Sequence, residues 1–288
     1  MSKIILITGA STGFGRDTAE TLSRAGHRVF ASMRDPVGKN RHHAEALRAQ
    51  NIDVVELDVT STRSVENAVA AIIEKTGLID VLINNAGVAS AGVTEAFTPA
   101  QASALFDVNV LGVHRVTRAV LPDLRRHKDG LIINIGSVVG RVTLPFFGIY
   151  GASKFAVEAL TDSLRLEVSQ LGIDVVLVQP SAYPTDMYAS AGQPADGARA
   201  AEYGAVGEIP GALFEHFSTM FAAADGPNPH DVADAIAGLV AQAKGTRPVR
   251  TVVGDSFGAD TVNTATAPVQ AGVVDALGLG HLETITNA

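Results

Sequence analysis

Short apolar runs rich in β-branched residues recur along this chain, and amphipathic stretches of helical period stand between them. That alternation constrains the fold more than any other feature. The segments "KIILIT" (3–8), "HRVFASM" (27–33), "DVVELDV" (53–59), "IDVLINNAG" (79–87), "GLIINIGS" (130–137), "IDVVLVQP" (173–180) and "RTVVG" (250–254) read as strands. Helices are predicted over 11–26, 41–50, 61–77, about 99–126 and about 150–171. Gly26 closes the first; Ser61 opens and Gly77 closes the third; Pro122 falls near the end of the fourth. Strands that are apolar on both faces and separated by helices imply a parallel sheet covered on both sides. The expectation is an α/β chain, a doubly wound parallel sheet of about seven strands with helices on both faces. With 288 residues, 47% of them hydrophobic, it can bury its core as a single domain over 1–288.

The net charge of −8 argues against nucleic acid as a partner and fits a small ligand held in a local basic site. The chain has no cysteine, which excludes disulfides and thiolate zinc sites. His42, His43, His114 and His127 show no metal-ligand spacing and read as surface or packing residues, so no metal is expected. The apolar run Ile4–Ile7 is too short for the core of a signal peptide, and no stretch approaches the ~20 apolar residues of a membrane span. The expectation is a cytoplasmic protein with no membrane partner.

Between 181 and 228 the βα rhythm breaks into a stretch rich in Gly, Ala and Pro, just past a strand end. Within it "ALFEHFSTMF" places Leu213, Phe214, Phe217, Met220 and Phe221 on one helical face. The segment reads either as an insertion packed on the core or as a lid over an apolar pocket, since open sheets bind ligands beyond their strand ends. The residues after 255 are small and apolar and suggest no task.

The first strand runs into "TGASTGFG", with Gly9, Gly13 and Gly15. Gly9 permits a tight exit from the strand. Gly13 and Gly15 remove side chains where a pyrophosphate and the strand approach the helix start. The helix N–H groups, among Ser11, Thr12 and Phe14, are then free to meet an anion. The spacing is G-x-x-x-G-x-G rather than G-x-G-x-x-G. At the end of the second strand, "VFASMRDP" puts Met33 where a ribose-binding carboxylate would select NAD, and Arg34 follows. A guanidinium suits a 2′-phosphate. Asp35 stands close enough to complicate the field. Asp58, with Val59 beside it, could accept from an adenine amino group or cap its own turn.

Tyr150 and Lys154 lie four residues apart in a small, apolar stretch predicted to be helical, so they share a face. A phenol of pKa ~10 is too weak an acid to work both ways near neutrality. A fixed ammonium beside it favours the phenolate, each unit of lowering representing about 1.4 kcal/mol.

"TGASTGFG", "NNAG" (84–87), Asn109, Ser137 and "YGASK" (150–154) together resemble the short-chain dehydrogenase/reductase family in order and spacing, over roughly residues 3–185. The resemblance implies a Rossmann-like fold and a nicotinamide cofactor. It implies Tyr150 as acid/base, Lys154 as its tuner and anchor of the nicotinamide ribose, Ser137 as orienter of the substrate oxygen, and Asn109 as support for a proton relay. It also implies that Asn84 ties neighbouring strands, that the backbone at Asn85, Ala86 and Gly87 borders the adenosine ribose, and that Pro180 and Thr185 meet the nicotinamide. Here the chain departs from the family: "PSAYPT" has Ser181 where Pro-Gly is usual, and Pro184 stiffens the turn, which puts the local backbone conformation in doubt. Pairing through the long helices that hold Asn109 and Tyr150 implies a homodimer or homotetramer. Leu144, Phe146 and Phe147, between Ser137 and Tyr150, add apolar bulk near the catalytic groups. The reading is an NADP(H)-dependent reductase of a hydrophobic ketone or aldehyde, reversible as an alcohol dehydrogenase. The alternatives are an NAD(H)-dependent enzyme of the same family and a non-catalytic NADP-binding sensor.

Overall fold

A computed structural model of the chain describes residues 2–223 and 225–286. Its seven strands are β1 (Ile4–Ile7), β2 (Arg28–Met33), β3 (Asp53–Glu56), β4 (Val81–Asn84), β5 (Gly130–Ile135), β6 (Ile173–Pro180) and β7 (Arg250–Val253). They form one sheet in the order β3-β2-β1-β4-β5-β6-β7, and every pairing is parallel. The order reverses at β1 and β4, which is where doubly wound sheets open a crevice beyond their strand ends.

The two-residue period of the strands divides the core into layers. Ile5 and Ile7 of β1, Ile133 of β5 and Val176 of β6 point to one face. There they pack with Leu22 of α1 (Gly13–Arg24), Leu47 of α2 (Arg41–Arg48) and Ile236 of α10 (His230–Ala241). Leu6, Leu82 and Ile132 point to the other face, against Val69 of α3 (Thr62–Thr76), Val120 of α5 (Gly112–His127) and Val168 of α6 (Gly148–Ser169). Helix α3 starts and stops where the sequence places its signals. The Ser61 hydroxyl accepts from the Ser64 amide at 3.3 Å, and Gly77 adopts φ +86°.

The predicted helix over 99–126 is not one regular helix. It comprises α4 (Pro99–Phe106), a wide π-helical turn over Asp107–Leu111, and α5. The segment after β6 carries α7 (Asp186–Ala189), α8 (Gly197–Ala201) and α9 (Ala205–Ala222) before α10 returns to the sheet. The chain beyond β7 is also helical: α11 spans Ala259–Ala276, and only Ala259 and Val274 of it are buried. Among the described residues no helix is long and apolar enough to cross a membrane.

Candidate active site and cofactor cradle

The C-terminal ends of β1, β4, β5 and β6 converge on one crevice. At β1 the chain turns through Gly9 at φ +67°, and a Cβ there would stand 2.8 Å from Cα of Ala86. The two switch-point strands can therefore meet only because residue 9 is glycine. Gly15 is required for a different reason: its Cβ would come within 2.5 Å of the Gly9 carbonyl oxygen. The side chain of Asn85 donates to the carbonyls of Thr8 at 2.9 Å and Gly9 at 3.0 Å, and Thr8 Oγ1 accepts from the amides of Asn85 and Ala86 at 3.0 Å. Asn85 thus braces the turn with its side chain and leaves backbone to face the crevice. Asn84 donates to Asn134 Oδ1 at 2.8 Å and Thr117 Oγ1 at 3.0 Å, tying β4 to β5 and α5.

Around this turn the residues present fit a dinucleotide. Thr12, at the N-cap of α1, makes no side-chain bond to the helix amides of Gly13, Phe14 and Gly15, and that helix start carries partial positive charge. Arg34 is exposed at the end of β2, and its guanidinium makes no hydrogen bond or ion pair among the described residues. Asp35 at φ +45° turns its carboxylate back onto the Lys39 amide at 2.7 Å. Asp58 Oδ1 accepts from both the amide and the hydroxyl of Thr60, at 2.9 and 2.8 Å, so one oxygen caps its own turn. The Val59 carbonyl accepts from Arg115. At the end of β6, Ser181 donates its amide to Val253 O at 2.9 Å and has no left-handed backbone, so serine fits where the family has glycine. Thr185 opens α7 without capping it, and its Cβ lies 3.9 Å from where a Gly13 Cβ would sit.

Helix α6 presents Tyr150 and Lys154 toward the same crevice. The lysine amine lies 5.7 Å from the tyrosine ring centroid and donates to the Ile135 carbonyl at 2.9 Å. Ser137, just past β5, donates weakly to the Pro180 carbonyl at 3.4 Å and accepts from the Val139 amide at 3.3 Å; it also acts on the neighbouring Tyr150 phenol, favouring the phenolate. Asn109 sits inside the π-helical turn. Its Oδ1 accepts from the Val88 amide at 2.9 Å; its Nδ2 donates to the Val88 carbonyl at 2.9 Å and to Ser153 Oγ at 3.0 Å. A Cβ on Gly87 would lie 3.4 Å from Asn109 Oδ1 and 3.9 Å from Lys154 Nζ, so the asparagine, the lysine and the loop after β4 meet at one point. The structure brings all four predicted catalytic side chains together.

Their electrostatics differ from the sequence expectation. The phenol is not drawn below its ordinary value. Burial pushes Tyr150 up to about 12, and the Ser137 hydrogen bond is the opposing influence. Burial likewise pushes Lys154 down to about 8, with Glu158, one helical turn on, acting to raise it. The reason is geometric: the amine sits over the ring and is committed to a backbone carbonyl rather than to the phenolic oxygen.

These groups open into an apolar cavity of about 310 Å³, within the range of small-molecule sites. Leu144 and Phe147 line it, as does Phe217 of α9, but Phe146 does not; its carbonyl accepts from the Gly92 amide at 2.8 Å. Phe214, Met220 and Phe221 pack behind Phe217. Sequence reasoning missed Tyr188, Met187 and Phe257, which also line the cavity. "YPTDMY" held the first two in plain view at a strand end. Nothing in the sequence marked Phe257, which approaches from beyond β7.

Residues 3–196 match the family model described as short chain dehydrogenase. The chain belongs to that family. It is similar to a 3-ketodihydrosphingosine reductase of Bacteroides thetaiotaomicron, 44% identical over 64% of this chain and 65% of the relative, so it spans just under two thirds of that protein's length. It is also similar to human retinol dehydrogenase 8, 33% identical over 85% of this chain and 79% of the relative. Among solved structures, a short-chain dehydrogenase from Streptomyces avermitilis superposes with a TM-score of 0.77, 27% identical, over 97% of this chain and 98% of that one. An alcohol dehydrogenase from Thermococcus sibiricus complexed with 5-hydroxy-NADP superposes with a TM-score of 0.68, 27% identical, over 88% and 96%. A family member from Burkholderia phymatum in complex with NAD gives 0.74, 26% identical, over 93% and 95%. A nicotinamide cofactor is thereby supported for the family fold.

Proposed function

We propose that this chain is an NADP(H)-dependent carbonyl reductase, reversible as an alcohol dehydrogenase, acting on a lipophilic ketone or aldehyde. The observation that carries the reading is the convergence of Tyr150, Ser137 and Lys154 on one apolar cavity at the mouth of the glycine cradle. The cradle residues Gly9, Gly13 and Gly15 would hold the pyrophosphate, Arg34 the 2′-phosphate, and Lys154 the nicotinamide ribose. When bound, the nicotinamide supplies or accepts a hydride at the substrate carbon.

The chain's own groups manage the oxygen and the proton. Ser137 and Tyr150 hydrogen-bond the carbonyl oxygen and fix its direction. Tyr150, held protonated by burial, gives its proton to that oxygen as negative charge develops there. The ammonium of Lys154 then stabilises the phenolate left behind. Asn109, fixed at both ends of its amide, shapes the path past Lys154 by which a proton returns to the Tyr150 phenolate. The apolar walls keep water away from the reacting carbon. Relatives named as a 3-ketodihydrosphingosine reductase and a retinol dehydrogenase favour a lipophilic substrate. The segment over 181–228 would act as a lid, since Phe217 and Tyr188 both reach the cavity from it. A groove between α3, α5 and α6, lined by Val113, Leu121 and Leu164, would seat a second copy of the chain.

Replacing Tyr150 by Phe tests the reading. Turnover of aryl ketones with NADPH, followed by nicotinamide absorbance, is expected to fall at least about a hundredfold, while NADPH binding persists. Retained turnover would refute the role. A strong preference for NADH over NADPH would overturn the assignment of Arg34 and favour the NAD-dependent alternative.

A further inference from the structure

Beyond Ser137, Tyr150 and the turn residues at its cofactor end, the cavity is walled by Val138, Val142, Leu144, Phe147, Met187 and Phe217. Two further side chains with hydroxyls line that part, Thr143 and Tyr188. Thr143 is exposed at the rim. Tyr188 is half-buried and comes from α7.

The ring of Tyr188 is held by three phenylalanines of α9. Centroid separations are 5.2 Å to Phe221, 5.7 Å to Phe217 and 6.5 Å to Phe214, with tilted or edge-on geometry. Those contacts fix the direction of the phenol and would suit a phenylalanine equally well. The hydroxyl, however, has no hydrogen-bond partner among the described residues, and it is not sealed inside the packing. It differs in this from Tyr183, whose hydroxyl is fully enclosed against Gly254. Such a hydroxyl can bond water while the cavity is open, and loses that partner when an apolar ligand fills the cavity without replacing it. Burial raises the Tyr188 pKa, and a charge on Tyr150 would raise it further. Tyr188 therefore stays a neutral donor, and both phenols line the same cavity of about 310 Å³.

We propose that Tyr188 selects the substrate: its hydroxyl donates to a second oxygen or nitrogen standing close to the reacting carbonyl of an otherwise lipophilic ketone. The inference rests on the reading of Ser137 and Tyr150 as the groups that hold the carbonyl. It deepens that reading from a hydrophobic ketone to a hydroxy-, amino- or oxo-ketone whose two polar atoms are a few bonds apart. A ketone with a single polar atom leaves the Tyr188 hydroxyl desolvated and unpaired, which is the kind of mismatch that discriminates strongly.

The test uses acetophenone and 2-hydroxyacetophenone, which differ by one hydroxyl beside the carbonyl. Their dissociation constants are measured calorimetrically, with NADP+ present, for the unaltered protein, Tyr188→Phe and Tyr150→Phe. kcat/KM with NADPH is measured for all three. The unaltered protein is expected to favour the hydroxyketone about tenfold, the worth of one neutral hydrogen bond. In Tyr188→Phe that ratio falls to about one; in Tyr150→Phe the binding ratio persists. A preference that survives in Tyr188→Phe, or its absence in the unaltered protein, overturns the proposal. Failure of both ketones to bind overturns it together with the assignment of the cavity. Turnover surviving in Tyr150→Phe would instead sink the catalytic reading while the binding ratios still judge Tyr188. Should Tyr188→Phe fold poorly, Tyr188→Met removes the same hydroxyl and must erase the same ratio.

Discussion

At the scale of single residues, the most consequential group is a buried amine. Lys154 is 5% exposed, and burial holds it at about 8. Its folded-state value thus lies below the 10.5 of an unfolded lysine. Between those two values the folded chain binds fewer protons than the unfolded one, so stability rises with pH across that window; below about 8 the burial of the charge is a full cost. Two outcomes follow. kcat/KM should decline above pH 8 as the ammonium that steadies the Tyr150 phenolate is lost, which a pH–rate profile checks. Lys154→Met should abolish turnover yet raise the free energy of unfolding at pH 7, by up to about 3 kcal/mol, in denaturant titration. A destabilised Lys154→Met protein would show that the bond to the Ile135 carbonyl outweighs the burial of the charge. Function then sits here against stability, as catalytic groups in dry sites commonly do.

At the scale of elements, the sheet and the first turn were legible because each rests on local rules. Short apolar runs rich in β-branched residues name a strand, and glycines between strand and helix name a cradle. The π-helical turn was not legible. Nothing in "FDVNVLG" distinguishes it from regular helix; it forms because Asn109 finds both backbone groups of Val88 and the Ser153 hydroxyl, partners 21 and 44 residues away. Such wide turns gather at functional sites. The placement of the 181–228 segment was equally hidden, since its anchors are long-range. Gln101 Nε2 donates to the Gln193 carbonyl at 2.8 Å, its Oε1 accepts from the Ala195 amide at 3.0 Å, and the Asp196 amide donates to the Ala96 carbonyl at 3.1 Å. Gln101 also completes the capping box of α4 with Thr98. Gln101→Ala should therefore speed amide exchange over 186–222 while leaving β1–β6 protected, and raise KM for ketone severalfold with a smaller effect on kcat. It should cost about 1 kcal/mol of stability through the lost cap. Unchanged exchange over 186–222 would show that the segment is held by Phe217 and its neighbours alone.

At the scale of the whole molecule, two surfaces escape the logic of the layered core. Helix α11 is largely exposed, yet it reaches the catalytic framework through side chains. Asn263 Oδ1 accepts from Arg141 Nε at 2.7 Å, and Asn263 Nδ2 donates to Gln179 Oε1 at 2.7 Å. Gln179 in turn donates to Glu158, whose Oε2 accepts from Arg250 Nε at 2.8 Å. This ring joins the turn after Ser137 to α6, β6, β7 and the C-terminal helix, which gives the chain past 255 a task its composition did not announce. The second surface is the groove of about 950 Å³ between α3, α5 and α6. Val69, Val113, Leu121, Leu164 and Val168 line it beside Arg118, Arg125, Glu66 and Glu167, and Leu160 on its border is 39% exposed. Apolar residues flanked by both signs of charge suit a two-fold contact, because each basic group on one copy can face an acidic group on the other. The groove lies on the face of α6 that carries Leu160 and Leu164, so pairing there would brace the helix bearing Tyr150 without closing the cavity. The protein should therefore elute as a dimer of the 29.8 kDa chain in light scattering coupled to size exclusion. Leu160→Asp should shift it to monomer and weaken catalysis by loosening α6. A monomer at high protein concentration in the unaltered chain would remove the second copy from this groove.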